Sequence, residues 1–386
     1  MPIACACGKL LPQSTGLSFI HIRSSKPQLC NQCQKTSQLV ESINSISSNP
    51  KSNMAKYSRN GSFSTQWAGS GLTTVNEFSI FSISKIIASG IPAIETTPMY
   101  ISLDGLNAYT PVTNVLNNSS YEFAETSKII FNGKVYVAGV RHVDKSGSRI
   151  AYSINGTIWM DCMMSILDTV EDISSNGEKC IALARNIGPI SSLNGISWSY
   201  IDSLTNFNPD NYFSNTVWAG SKWLISGCYS GNNRIHASSD MIKWDLLADI
   251  PSSTKFMKYN GKVLLIGYTS SPFMQYSLDG GLTFIDSPTA SDVFPSGCND
   301  AVWNGSLWVA VGPGINTIAT STDGIIWNGL GNIMFTEAGN SICWNTTHWV
   351  AGGSGENTMA YSMNGMDWIG AGNTMFSKIT TLCSLV

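Results

Sequence analysis

Apolar and polar positions alternate in short runs along this chain and never settle into a helical period. Between Ala301 and Trp327 the sequence reads AVWNGSLWVAVGPGINTIATSTDGIIW. Ala301–Trp303 and Trp308–Val311 are apolar, aromatic-rich runs held apart by Asn304-Gly305-Ser306. Asn and Gly both tolerate the positive φ that a tight, right-twisted turn requires, so this stretch predicts a β-hairpin. A second hairpin follows, from Thr317–Ser321 through Thr322-Asp323-Gly324 to Ile325–Trp327. Four short strands in so few residues make one blade of a β-propeller.

The second hairpin returns along most of the chain. Its turns centre on Asn60, Asp104, Asn155, Asn194, Asp240, Asp279, Asp323 and Asn364, at intervals of 44, 51, 39, 46, 39, 44 and 41 residues. That period is typical of propeller repeats. Most copies place an aromatic shortly afterwards: Trp159, Trp198, Trp244, Phe284, Trp327 and Trp368. The clearer first hairpins turn at Asn132-Gly133, Asn176-Gly177, Ala219-Gly220, Asn260-Gly261, Asn304-Gly305 and Asn345-Thr346.

These turns resemble the Asp-box, or BNR, repeat, whose pattern is Ser-x-Asp-x-Gly-x-Thr-Trp. Ser277, Asp279, Gly281, Thr283 and Phe284 match it in spacing, with Phe for Trp. Other copies are mostly one residue shorter, and the copy at Asp240 lacks the glycine. The resemblance covers roughly Ser45 to the C-terminus and implies that the turns lie on the outer rim as structural elements. The wording WNG…WVAxG…AxSxDG…W also resembles propeller repeats common in large DNA viruses of protists.

The fold expected is therefore all-β, a propeller of four-stranded blades. Seven complete units fit between Asn76 and Trp368, and leftovers at the two ends sum to one more blade. Eight blades are favoured, with seven as the alternative. In the eight-blade arrangement, the last strand, Ile379 to Ser384, becomes the innermost strand of a blade completed by residues 45–67. Closing the ring in this way hides both sheet edges. The expected domains are a small module at 1–34, a polar linker at 35–44 and the propeller at 45–386.

Composition narrows the functional classes. Charged residues are 12% of the chain and the net charge is −3, which disfavours a broad nucleic-acid surface. No apolar run approaches the roughly 18 to 20 residues of a membrane helix, and the N-terminus does not read as a secretory signal. Of ten cysteines, six are scattered singly through the repeats as small apolar residues, which suits a reducing, cytoplasmic compartment; the resemblance to viral repeats adds a virion as the other expected location. The other four, Cys5, Cys7, Cys30 and Cys33, form two close pairs about 20 residues apart. That spacing suits a structural tetrahedral Zn²⁺ site and resembles a zinc ribbon, although such folds use Cys-x-x-Cys in place of Cys5-x-Cys7. Reduced thiols and disulfides are the competing readings. Lys9, Arg23, Lys26 and Lys35 sit nearby and offset thiolate charge.

Catalytic signals are sparse. A sialidase-type hydrolase needs clustered arginines, and the six here (Arg23, Arg59, Arg141, Arg149, Arg185 and Arg234) are dispersed. His21, His142, His236 and His348 are isolated. Asp161, Asp168, Glu171 and Asp172 read as solvated connection charges. The expected function is a non-catalytic scaffold for protein–protein interaction, with a structural component of a large virus particle as one such role. A glycan-binding lectin is the alternative, and a glycoside hydrolase ranks third. In a four-strand meander, the second-to-third loops and the blade connections share one face, which here holds the varied segments: 114–126, 140–148, 203–213 and 228–233. Phe207, Tyr212 and Phe213 are the aromatics there best suited to partner contact, with packing over the blade edge the favoured alternative. The zinc reading predicts one zinc per chain by elemental analysis of protein prepared without added metal. Metal-free wild type would overturn it.

Overall fold

The computed structural model describes residues 53–57 and 63–67 and, with gaps at 94–98, 103–108, 113, 116–122, 143–147, 167–168, 186, 202–211 and 230, residues 85–384. The chain divides into two units, Met1–Ile83 and Ser84–Val386. In the first, Asn53–Tyr57 pairs antiparallel with Phe63–Trp67. The cysteine-rich module at 1–34 and the linker at 35–44 lie outside the described residues.

The second unit is a β-propeller of antiparallel meanders. Four sheets have four strands each and begin with Val170–Ser175, Tyr212–Trp218, Thr254–Tyr259 and Asp300–Trp303. A fifth runs from Phe123–Phe131 to Ile158–Ile166, with Asn114–Val115 added parallel to its outer strand. An eight-stranded sheet holds two further meanders. One begins with Ala338–Trp344. The other consists of Phe376–Ser384, Ile86–Pro92, Met99–Ser102 and Thr110–Pro111. The two meanders join where Ser354 pairs with Lys378.

The expected count is corrected here. Five sheets stand alone as blades, rather than seven or eight, because two meanders share the eight-stranded sheet. The closing partner also differs. The C-terminal strand Phe376–Ser384 pairs with Ile86–Pro92 from Ile86↔Ser384 to Pro92↔Phe376, not with residues 45–67. It thus supplies the first strand of a unit whose other strands begin at Ile86. The first strands pack in a closed cycle: Phe123–Phe131 on Val170–Ser175, then Tyr212–Trp218, Thr254–Tyr259, Asp300–Trp303, Ala338–Trp344 and Phe376–Ser384, which packs back on Phe123–Phe131.

Every one of these inner strands carries an extra residue in the same place. The register slips around Ser127, Glu171, Ser214, Lys255, Asn340 and Thr380. Asn299 and Asp300 likewise share one partner, Val311, the first through its N–H and the second by register. A β-bulge bends its strand and re-aims the side chains beside it. It also brings backbone close to the second strand, which explains the glycine ending runs such as WLISG and IIASG. A Cβ at Gly227 would lie 2.2 Å from the Tyr212 carbonyl oxygen, and one at Gly90 would lie 2.0 Å from that of Lys378.

The two hairpin turns hold themselves. In the first, the Asn side chain accepts two backbone N–H groups: Asn304 from Ser306 (2.9 Å) and Leu307 (2.8 Å), Asn260 from Lys262 (3.0 Å) and Val263 (2.7 Å). Aromatic pairs bridge these hairpins in register, with ring centroids 5.2 Å apart for Trp218–Trp223, 5.5 Å for Trp303–Trp308 and 5.0 Å for Trp344–Trp349. Such pairs add about 0.5–1.5 kcal/mol beyond their burial. In the second turn, Ser321 Oγ accepts the Gly324 N–H at 2.8 Å, while Asp323 accepts those of Ile325 and Ile326 at 2.8 and 2.9 Å. The glycine-lacking copy keeps this geometry with Met241 at φ 69°.

Closure makes a prediction. Gly90→Ala drives a side chain into the Lys378 carbonyl and should lower stability by about 2–3 kcal/mol. Deletion of residues 378–386 removes an entire inner strand and should produce aggregation. Wild-type melting of either variant, measured by calorimetry, would show that the seam does not hold the ring.

Candidate functional site

Beside the bulge, polar side chains stand at the seams between blades. The fourth residue before each first-hairpin turn is Lys128, Asp172, Asn215, Phe256, Asp300 or Ser341, and Thr381 is the counterpart on the closing strand. Only Phe256 joins the apolar core. The residue one step earlier is the bulge residue itself.

The first of these layers is a set of clasps between blades. Asp172 is buried, and its Oδ2 accepts the Thr216 N–H of the next blade at 3.0 Å. Asp300 does the same for Ile342 at 3.2 Å, and Ser341 Oγ for Leu382 at 3.0 Å. Asn215 donates to the Lys255 carbonyl at 3.1 Å and accepts from Thr254 Oγ1 at 2.7 Å. Each clasp satisfies a backbone group that faces the neighbouring sheet, where an unpaired one would cost about 1–3 kcal/mol.

Two buried carboxylates need counter-charge, and lysines provide it. Lys128 Nζ lies 3.5 Å from Asp172, and Lys258 Nζ lies 3.0 Å from Asp300. Burial works to lower the basicity of Lys128, but Asp172 and then Asp300 outweigh it and hold the ammonium above its ordinary range. Lys128 therefore senses an aspartate several blades away, as expected of groups sharing one channel. A cavity of about 230 Å³ lies there, lined by Lys128, Asp172, Asn215, Thr216, Phe256 and Lys258 among others.

A second cavity, about 450 Å³, opens on the turn face between two neighbouring second hairpins, where Leu193, Asn194, Trp198, Asp240 and Ile242 meet. Leu193 and Ile242 are 70% and 73% exposed. Equivalent turns expose Ile154, Leu278, Ile326 and Met363, so this face carries a crown of aliphatic tips.

The residues chosen from sequence fall in several places. Tyr212 is half-buried, and its hydroxyl bonds to Ser253 Oγ. Phe213 is buried with Ile181, Leu183, Trp223 and Ile225, so it is core and not a partner contact. Phe207, His21, Cys5, Cys7, Cys30 and Cys33 lie outside the described residues. Asp161 pairs with Arg149, Glu171 with Arg185 at 3.2 Å and Asp172 with Lys128. For Asp172 the reading as a solvated charge is corrected, since it is a buried axial clasp. His348 is buried, with Nε2 2.9 Å from Asn345 Nδ2 and Nδ1 2.9 Å from Thr347 Oγ1. His236 stacks edgewise on Tyr229 and is held below its ordinary range by burial and by Arg234. Burial pushes the Cys383 thiol up to about 12 and Cys343 well above its usual value, so neither is a thiolate nucleophile at neutral pH. Among the described residues, Cys162, Cys180, Cys228, Cys298, Cys343 and Cys383 are free thiols.

Lys128, Lys255, Lys258 and Asp300 were not singled out from sequence. The signal that would have found them is their fixed offset from the turn asparagine, which places polar residues where an inner strand should be apolar.

No family model and no curated protein match this chain. Solved structures do, at the level of fold. A Bacteroides fragilis protein described as a candidate 6-phosphogluconolactonase aligns at TM-score 0.52 and 9% identity, covering 79% of this chain and 99% of that one. The computationally designed protein Ika8 aligns at 0.51 and 9%, covering 76% and 89%. YCF48, in a structure bound to a D1 peptide, gives 0.48 and 12%, covering 71% and 88%. At these identities the likeness concerns architecture alone. Among the described residues, no helix is long and apolar enough to cross a membrane.

The clasps predict an asymmetry. Asp300→Ala strands the Lys258 charge and the Ile342 N–H together, and should cost about 3–5 kcal/mol. Adding Lys258→Met should restore at least 1 kcal/mol of that loss. Chemical denaturation of the two variants and wild type checks this; equal stability of the single and double variants would refute the pairing.

Proposed function

We propose that this propeller is a non-catalytic scaffold that binds a protein partner through its loop face. One observation carries the reading: the two faces of the ring are built differently. On one face, the described second-hairpin turns repeat one closed set of hydrogen bonds from Ser and Asp or Asn, illustrated by Ser153–Gly156, Ser192–Gly195 and Ser362–Gly365, all at 2.8 Å. On the other, the connections differ in length and composition from blade to blade. Variable loops on a rigid support are where recognition residues concentrate. The axial carboxylates support the same reading, because Asp172 and Asp300 are occupied by clasps and lysines and offer no free acid–base pair.

The sequence resemblance suggests a large virus particle as the setting, and a lectin-like glycan site is the runner-up. We further propose that Cys5, Cys7, Cys30 and Cys33 hold one structural zinc ahead of the ring. The test is affinity purification of the full-length chain from its native source, followed by binding of the identified partner to variants. Replacing 228–233 with a Gly-Ser linker should abolish binding, while Leu193→Ser and Ile242→Ser on the turn face should preserve it. The reverse result would move the interface to the aliphatic crown, and a hit on a glycan array would favour the lectin.

A further inference from the structure

On the turn face, neighbouring blades close against each other through a repeated contact. The third residue after the first-turn asparagine has its N–H held by that asparagine, at 2.9 Å for Val135, 2.8 Å for Lys179, 2.7 Å for Val263 and 2.8 Å for Leu307. In three of these blades its apolar side chain reaches the second turn of the next blade. A Cβ built on Gly195, Gly324 or Gly365 would lie 3.0, 3.4 or 2.7 Å from Val135, Val263 or Leu307. Both halves of this contact change between the blades that begin at Val170 and Tyr212. Lys179 stands in place of the apolar residue, and Met241, at φ 69°, in place of the glycine. Met241 is buried in one cluster with Ile181 and Leu183 of the preceding blade. A side chain wedged there holds the two hairpins apart, and here the cavity of about 450 Å³ opens.

The cavity has one wall of each charge. Lys179 and Asp240 both line it, together with Leu193, Trp198, Met241 and Ile242. Neither Lys179 nor Asp240 forms an ion pair among the described residues, so the two charges stand apart in one groove. The hydrogen bonds that Asp240 accepts from Ile242 and Lys243, at 2.7 and 3.0 Å, and from Ser238 all go to its Oδ1. Its Oδ2 can therefore accept from a ligand. A lone ion pair in open solvent is worth little. Leu193 and Ile242, both exposed, supply apolar walls that keep water from a ligand's charges and so strengthen their contacts.

We infer that this groove binds a small zwitterion with an aliphatic body, its carboxylate on the Lys179 ammonium and its own ammonium on the Asp240 carboxylate. Both contacts are charge-assisted hydrogen bonds. A ligand of one charge would meet its like on the opposite wall, whereas a zwitterion satisfies both. An aliphatic body covers Leu193, Ile242 and the partly buried Trp198. The volume lies within the roughly 300–1,000 Å³ of small-molecule sites. Free apolar amino acids and short apolar peptides share this chemistry. The groove is on the turn face, so the inference goes beyond the loop-face reading and does not rest on it.

The test titrates the full chain by calorimetry with L-leucine and the dipeptide Leu-Leu, each also as its N-acetyl form, which lacks the cation, and its C-terminal amide, which lacks the anion. The better zwitterion should bind about tenfold tighter than either blocked form. Tighter leucine assigns the site to a free amino acid, and tighter Leu-Leu to a short peptide. Two substitutions borrow residues from this chain's other repeats, so both variants should melt with wild type. Lys179→Val follows Val135 and Val263, and Asp240→Asn follows Asn155, Asn194 and Asn364, which hold the same turn. Lys179→Val should weaken the zwitterion about tenfold and erase its advantage over the amide. Asp240→Asn should erase its advantage over the N-acetyl form. Lys262→Met, in another blade's first turn, should leave binding unchanged. Absence of wild-type binding at millimolar zwitterion, or a preference over the blocked forms that survives in both variants, overturns the inference.

Discussion

The propeller depends on one recurring constraint: the backbone groups that face from one blade to the next must be satisfied without a continuous sheet. Within a blade, antiparallel pairing consumes N–H and C=O groups. Between blades there is no ladder, and a dry seam would leave N–H groups unmatched at real cost. This chain meets the problem by bulging each inner strand. The bulge places a short polar side chain where it can cross the seam, as Asp172, Asp300 and Ser341 do toward Thr216, Ile342 and Leu382. Much else follows from that solution, including glycine on the second strand opposite the bulge and lysines to neutralise buried aspartates.

The turns answer a different need. Each must reverse the chain at the blade edge without help from a neighbour, so its donors are captured by its own Asn, Asp or Ser side chain. Asn155 and Asn194 do with an amide what Asp279 and Asp323 do with a charge. Hydrogen bonds from Thr283, Ser277 and Leu282 hold the Asp279 carboxyl far below the ordinary range. That preference exists only above the carboxyl's unfolded pKa near 4 and fades as pH falls below it, whereas the asparagine copies carry no such dependence. Mixing the two residues keeps the ring's stability from hanging on one protonation state.

Local features were legible in the sequence, and those fixed by distant parts of the chain were not. Asn304-Gly305 and Ser321-x-Asp323-Gly324 announce hairpins because the chemistry of the turn lies within a few residues. The closure was misassigned because strand identity is a matter of competition: Phe376–Ser384 and residues ahead of Ile86 both read as a first strand, and nothing local says which one pairs with Ile86–Pro92. Phe213 read either as a contact residue, because its neighbours are Asn and Tyr, or as packing over the blade edge, and the structure places its ring in the core beside a register slip. Asp172 was hidden by Glu171, which pairs with Arg185 while the adjacent carboxylate points to the axis. A bulge breaks the two-residue alternation on which strand reading relies, so the channel is where reading by pattern fails.

That failure is informative about how fold and function divide in this molecule. The layer of clasps balances its own charge, because any excess inside the ring would work against folding. The bulge residues beside it are freer. Ser127 donates to the Gly139 carbonyl of its own sheet at 3.3 Å, whereas Ser214 meets Thr254 across a seam at 3.1 Å and Lys255, Asn299 and Asn340 reach across seams toward one another. A position that tolerates serine in one blade has no structural need for lysine in another.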